Sequence, residues 1–102
     1  MPTIDDALAY LGIDYPDDMI RKNVTRAMAT AMETVREAVG TDVELLLPDD
    51  PQAAELVLIF TDDLYSERGV SAKVSGATRR MVADLVLHLQ LKMQRLREGG
   101  AV

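Results

Sequence analysis

Apolar residues recur at helical spacing in four segments, and Gly, Pro and Asp punctuate the chain between them. The first segment is short. Ile4, Ala7, Leu8 and Leu11 make one face, Thr3 with Asp6 three residues on is a variant capping box, and Gly12 is a natural stop. Ile13-Asp14-Tyr15-Pro16 reads as a turn, with Pro16 suited to a first helical turn. Asp17 and Asp18 then sit at the positive end of a second helix, predicted from about Asp17 to Val39 and stopped by Gly40. Its stripe is Ile20, Val24, Ala27, Met28, Ala31, Val35 and Ala38, with Lys22, Arg26, Glu33 and Glu37 on the far side.

Thr41 to Asp50 is a connection. Leu45-Leu46-Leu47 is apolar but Pro48 follows at once, so the segment is either a loop over the core or a short extended edge piece. Asp50-Pro51 has the form of an N-cap followed by a first helical residue, and starts a third helix predicted over 51–68. Ala53, Leu56, Val57, Phe60 and Leu64 form its main stripe, while Leu58 and Ile59 project elsewhere. A helix apolar on more than one side is central in its bundle or faces another subunit.

Gly69 to Gly76 reads as an exposed, mobile loop. A last helix is predicted over 77–97, with Val82, Leu85, Val86, Leu89, Met93 and Leu96 as its stripe. Leu87 and Leu91, one turn apart, fall on the opposite face beside Arg80 and Asp84. A second apolar ridge on an otherwise polar face suggests contact with another chain. Leu87 to Met93 also alternates like a strand, but its length and flanks favour helix. The expectation is an all-α small bundle of three main helices plus a short N-terminal one. It forms a single domain over 1–102, with residues 1–2 and 98–102 frayed and Phe60, Val82, Leu85, Val86 and Leu89 buried together.

Composition narrows the functional classes. The chain of 102 residues is 48% apolar with one Phe, three Tyr and no Trp, so its core is aliphatic, with six methionines as fillers. It has no cysteine, which excludes disulfides and thiolate chemistry. No apolar run approaches the roughly 20 residues a bilayer requires, and Asp5 and Asp6 do not fit a signal peptide. The net charge of −6 argues against a duplex-gripping basic surface.

Four Asp-Asp pairs occur, at 5–6, 17–18, 49–50 and 62–63. Paired carboxylates can bind cations or act as acid and base. Three pairs sit at predicted helix starts, where capping accounts for them. Adjacent helical residues also point about 100° apart. Asp62-Asp63 lacks a helix start and is the better candidate for an intersubunit ion pair. His88 is the only histidine and cannot build a zinc site alone. Glu67 and Arg68 close the third helix, either as a solvated pair or with Arg68 tying carbonyls or a neighbouring carboxylate. No phosphate-cradling loop, nucleophile elbow or metalloprotease motif is present. The expectation is no enzyme, no cofactor and no metal.

The opening Thr3-Ile4-Asp5-Asp6-Ala7-Leu8-Ala9-Tyr10-Leu11-Gly12-Ile13-Asp14, the Ala-rich second helix and the Asp-Pro start of the third are followed by Leu64-Tyr65-Ser66-Glu67-Arg68 and Arg79-Arg80-Met81-Val82-Ala83-Asp84-Leu85-Val86. In this order they resemble the small head–tail connector (adaptor) proteins of tailed bacteriophages, over nearly the whole chain. The resemblance implies a virion protein made in the bacterial cytoplasm. About a dozen copies would form a ring beneath the portal, extending the DNA channel and meeting a stopper or tail-completion protein below. DNA would pass without sequence-specific binding, and no membrane would be involved. Subunits would pack heterologously, with Leu58, Ile59, Asp62, Arg68, Arg80, Asp84, Leu87 and Leu91 as the candidate contacts and the final helix and tail toward the portal. The alternative is a free-standing helical interaction domain, such as an antitoxin-like or regulatory dimer, which would bury the same Leu87 and Leu91 ridge isologously.

Overall fold

The computed structural model describes residues 1–66 and 76–100, and all the regular structure among them is helical. Helix α1 spans Ile4–Tyr10, α2 Asp18–Val39, α3 Val43–Leu46, α4 Pro51–Ser66 and α5 Gly76–Gly100. The all-α bundle expected from the periodicity is therefore what forms.

The helix boundaries follow from side-chain chemistry. Thr3 Oγ1 accepts from the Asp6 amide at 3.1 Å while the Thr3 amide donates to Asp6 Oδ2 at 2.8 Å, completing the capping box. At the other end of α1, Gly12 takes φ +74. Its amide reaches Ala9 O at 3.1 Å, and the Ile13 amide reaches Leu8 O at 2.9 Å. That is the double closure of a Schellman motif, and Ile13 packs back on the cluster containing Leu8. Asp17 caps α2 by accepting from the Ile20 amide at 2.7 Å. Asp50 caps α4 by accepting from the Gln52 and Ala53 amides at 2.8 and 3.1 Å.

Helices α2 and α4 form the central pair, packed on each other and each on α1 and α5. The main core joins Ala31, Met32, Val35 and Val39 of α2 to Ala53, Leu56 and Val57 of α4 and to Leu89 and Met93 of α5, with Val43 and Leu47 closing one end. Each large side chain fully buried here contributes about 1.5–3 kcal/mol of apolar transfer. A smaller cluster of Ala7, Leu8 and Val24 seats α1 on the first half of α2, with Ile4, Leu58 and Tyr65 packed against it.

Four expectations need correction. Thr41 to Asp50 is neither open loop nor extended edge, because it contains the single turn α3. Val43 and Leu47 are buried by the core, and the Arg36 side chain holds Glu44 at 2.5 Å. Residues 1–2 are not frayed: Pro2 is buried, Met1 packs on the main core, and the terminal ammonium donates to the Pro48 carbonyl. At the other terminus the helix continues to Gly100 instead of fraying at 98, and residues 101–102 lie outside the described residues. Finally, Phe60, Val82, Leu85 and Val86 are only half-buried against the core, and Leu96 is exposed. The molecule is about 18 Å along its thinnest axis. Helices are roughly 10–12 Å across, so this allows about two layers.

Candidate interaction surface

Helix α5 is fixed to the body through its second half. Leu89 and Met93 are fully buried. Three polar contacts flank them: Gln90 Nε2 donates to the Ala38 carbonyl at 2.8 Å, Lys92 Nζ to Asp50 Oδ2 at 2.7 Å, and Arg97 to Asp42 Oδ1 at 2.5 Å. Between Arg80 and His88 no side chain is fully buried. Burial pushes the Asp50 carboxyl up, but the Lys92 ammonium and the Ala53 and Gln52 amides outweigh it and hold it below the usual carboxylate range. The Arg97 hydrogen bond lowers the Asp42 carboxyl in the same way.

Opposite Leu89, at about 100° per residue, lie Arg80, Asp84, Leu87, Leu91 and Glu98. Leu87 is 53% exposed and Leu91 42%. The two leucines are neighbours one turn apart and form a ridge. Arg80 and Asp84 are exposed on the turns before it, and Gln94 lies just beyond, its amide donating to Glu98 at 3.2 Å.

The remaining candidate residues divide differently. Ile59 is 8% exposed and belongs inside the bundle, so it is not available to another chain. Leu58 is half-buried, packed against the α1–α2 cluster. Asp62 is half-buried and accepts from Ser66 Oγ at 2.9 Å, one turn along its own helix. Arg68 and its neighbour Glu67 lie outside the described residues, as does the 69–75 part of the expected loop, while Gly76 opens α5.

Beside α1 an open cleft of about 610 Å³ is lined by Pro2, Asp6, Tyr10, Asp49, Ala54 and Leu58, among others. Its surroundings are acidic. Burial, together with the charges of Glu55 and Asp62, raises the Tyr10 phenol above its ordinary value. The acidity is general to this part of the chain. Residues 1–66 carry fourteen Asp and Glu against four Lys and Arg, net −10, whereas α5 carries five basic residues against two acidic ones, net +3.

Three of the Asp pairs each spend one member on a helix start, at Asp6, Asp17 and Asp50. Among the described residues no group of three His, Asp or Glu side chains is placed to hold a metal ion. No helix among them is long and apolar enough to cross a membrane.

The polar contacts of Gln90, Lys92 and Arg97 and the acidic cleft have no motif in the sequence. Each joins residues more than 40 positions apart or elements that meet only in the fold. Comparison with protein-family models, curated protein sequences and solved structures finds no match to this chain.

Proposed function

We propose that this chain is a ring-forming subunit of a bacteriophage head–tail connector, docking under the portal and extending the DNA conduit toward the tail. The observation that carries the reading beyond the sequence resemblance is the exposure of Leu87 and Leu91 on the outer face of α5. An apolar ridge on a thin bundle is suited to burial against another subunit. Supporting it, the net charge of −10 on residues 1–66 suits a wall past which DNA moves without sticking. The work is mechanical and uses no catalytic group. The ring would stand at the head–tail interface of the virion, between the portal and a stopper or tail-completion protein.

The test is native mass measurement at high protein concentration, with and without a portal protein, on the wild type and on Leu87→Glu/Leu91→Glu. The wild type should give a closed multimer of about a dozen copies. The double variant should keep its helical content, because both side chains face away from the core, and should lose assembly, because each glutamate would be desolvated at a contact. A wild type that is only ever a two-fold dimer, or a double variant that still assembles with the portal, refutes the proposal.

A further inference from the structure

The outer face of α5 carries its charges in a definite order: Arg80, Asp84, then Leu87 and Leu91, then Arg95 and Glu98. All six side chains are exposed. At about 100° per residue, Arg80 and Glu98 point straight out, opposite the buried Leu89, while Asp84 and Arg95 lean to the same side. Arg80 and Glu98 stand nine residues before and after Leu89, the two leucines two residues either side of it, and Asp84 and Arg95 five before and six after. Lys92 and Arg97 are spent on Asp50 and Asp42. Among the described residues, Arg80, Asp84, Arg95 and Glu98 have no ion-pair partner in their own chain, and Glu98 accepts from the uncharged Gln94 amide.

Taken from the other end, this order is the same with every sign reversed. Such a face is complementary to itself turned end for end. With two copies of α5 antiparallel about a two-fold axis level with Leu89, Arg80 faces Glu98 of the second copy. Asp84 faces Arg95 of the second copy, on the same flank and within about one residue's rise of it. Leu87 meets Leu91 of the second copy, so four leucines form the centre and two ion pairs stand at each end. A parallel pairing would set each charge on its own copy, like on like. Exposed pairs add little affinity, but they select the orientation, while the apolar centre supplies the attraction.

We infer that the free subunit pairs with a second copy of itself through this face, α5 against α5 in antiparallel. The inference goes beyond the ring reading, because it concerns the chain before it meets a portal. Each body lies behind Leu89 and Met93, on the side away from the contact. A single helix pair is small beside the roughly 1,200–2,000 Å² of a stable interface, so the dimer is reversible. While it lasts the ridge is covered, and a subunit enters a ring only as the dimer opens.

Charge exchange tests the register without touching the leucines. Arg80→Glu sets like charges against Glu98 of the second copy, twice per dimer, and Glu98→Arg does the same against Arg80. Both positions are exposed, and unchanged helical content is checked first. Native mass over rising protein concentration, without a portal, reads the dimer. The wild type should pass from monomer to dimer, and each single variant should dimerise at least about tenfold more weakly. An equal mixture of the two single variants should recover a mixed dimer of about wild-type strength, and so should Arg80→Glu/Glu98→Arg alone. A wild type that shows monomers or closed rings but no dimer overturns the inference. So does a dimer that the single variants leave unchanged, or one that neither the mixture nor the double variant restores. The wild type with a portal tests the ring reading separately. A multimer of about a dozen copies there leaves that reading standing whether or not the free protein dimerises. Dimers that persist with the portal refute the ring and leave the pairing in place.

Discussion

Asp50 holds two structures at once, and separating its two jobs tests how α5 is attached. Its Oδ1 accepts from the Gln52 and Ala53 amides at the start of α4, and its Oδ2 accepts from Lys92 of α5 at 2.7 Å. The carboxylate is 12% exposed and the lysine 37%. Loss of an N-cap costs about 1 kcal/mol. The ion pair is half open to water on the lysine side, so screening limits it to about 0.5–1 kcal/mol. Asp50→Ala removes both contributions and should cost about 2 kcal/mol. Asp50→Asn keeps a competent cap and should cost only the pair, and Lys92→Met should cost a similar amount. The Asp50→Asn/Lys92→Met double variant should therefore be less destabilised than the two singles added together, by about 0.5–1 kcal/mol of coupling. Urea titration at pH 7 resolves these differences, and for a domain of this size 1 kcal/mol moves Tm by about 4–8 °C. If Asp50→Ala is no worse than Asp50→Asn, the cap contributes nothing. If the coupling is zero, α5 is not held by this pair. The pH dependence supplies an independent check. The folded-state pKa of Asp50 is lowered, so the unfolded chain binds the proton more readily, and the stabilisation is present above the unfolded carboxylate pKa and lost as pH falls through the folded one. Asp50→Asn should flatten that acid-side slope.

Leu89→Ala should cost about 2–5 kcal/mol, as for an emptied core leucine, whereas Leu85→Ala at a half-buried site should cost clearly less; equal losses by chemical denaturation would contradict the gradient of burial along α5. Gly40 holds φ +148, and a Cβ there would stand 2.6 Å from the Arg97 guanidinium and 3.2 Å from Met93 Cε. Those atoms are the ends of flexible side chains that can move aside, so the backbone conformation sets the cost: Gly40→Ala should destabilise by about 1–3 kcal/mol, and a neutral result by thermal denaturation would refute the strain argument.

Local chemistry was the legible part of this chain. Thr3, Asp6, Gly12, Asp17, Gly40 and Asp50 mark helix ends through interactions within a few residues, and each ends its helix as its type predicts. The outward position of Leu87 and Leu91 follows from periodicity alone. What escaped the sequence depends on contacts across long separations. The single turn α3 forms where Val43 and Leu47 find the core and where Arg36 and Arg97 supply counter-charges, none of which the triplet Leu45-Leu46-Leu47 announces. Leu45 itself is 79% exposed, so the run of three leucines misleads about which apolar residues near it are inside. Ile59 read as surplus because central placement and subunit contact give the same pattern on a helix apolar all round, and only the packing of neighbouring helices decides between them. Leu58 depends on where α1 settles, a contact spanning about fifty residues of chain.

The uneven anchoring of α5 sorts its residues by what would notice their replacement. Changes at Leu89, Lys92, Met93 or Arg97 disturb the chain's own fold, whichever neighbour it meets. Arg80, Asp84 and Leu87 are themselves exposed, so the effects of changing them fall on whatever lies across the outer face. One continuous helix thus carries a segment that must stay constant and a segment free to drift. A lineage could refit this protein to a new neighbour through a few exposed turns, with the bundle behind them unaltered.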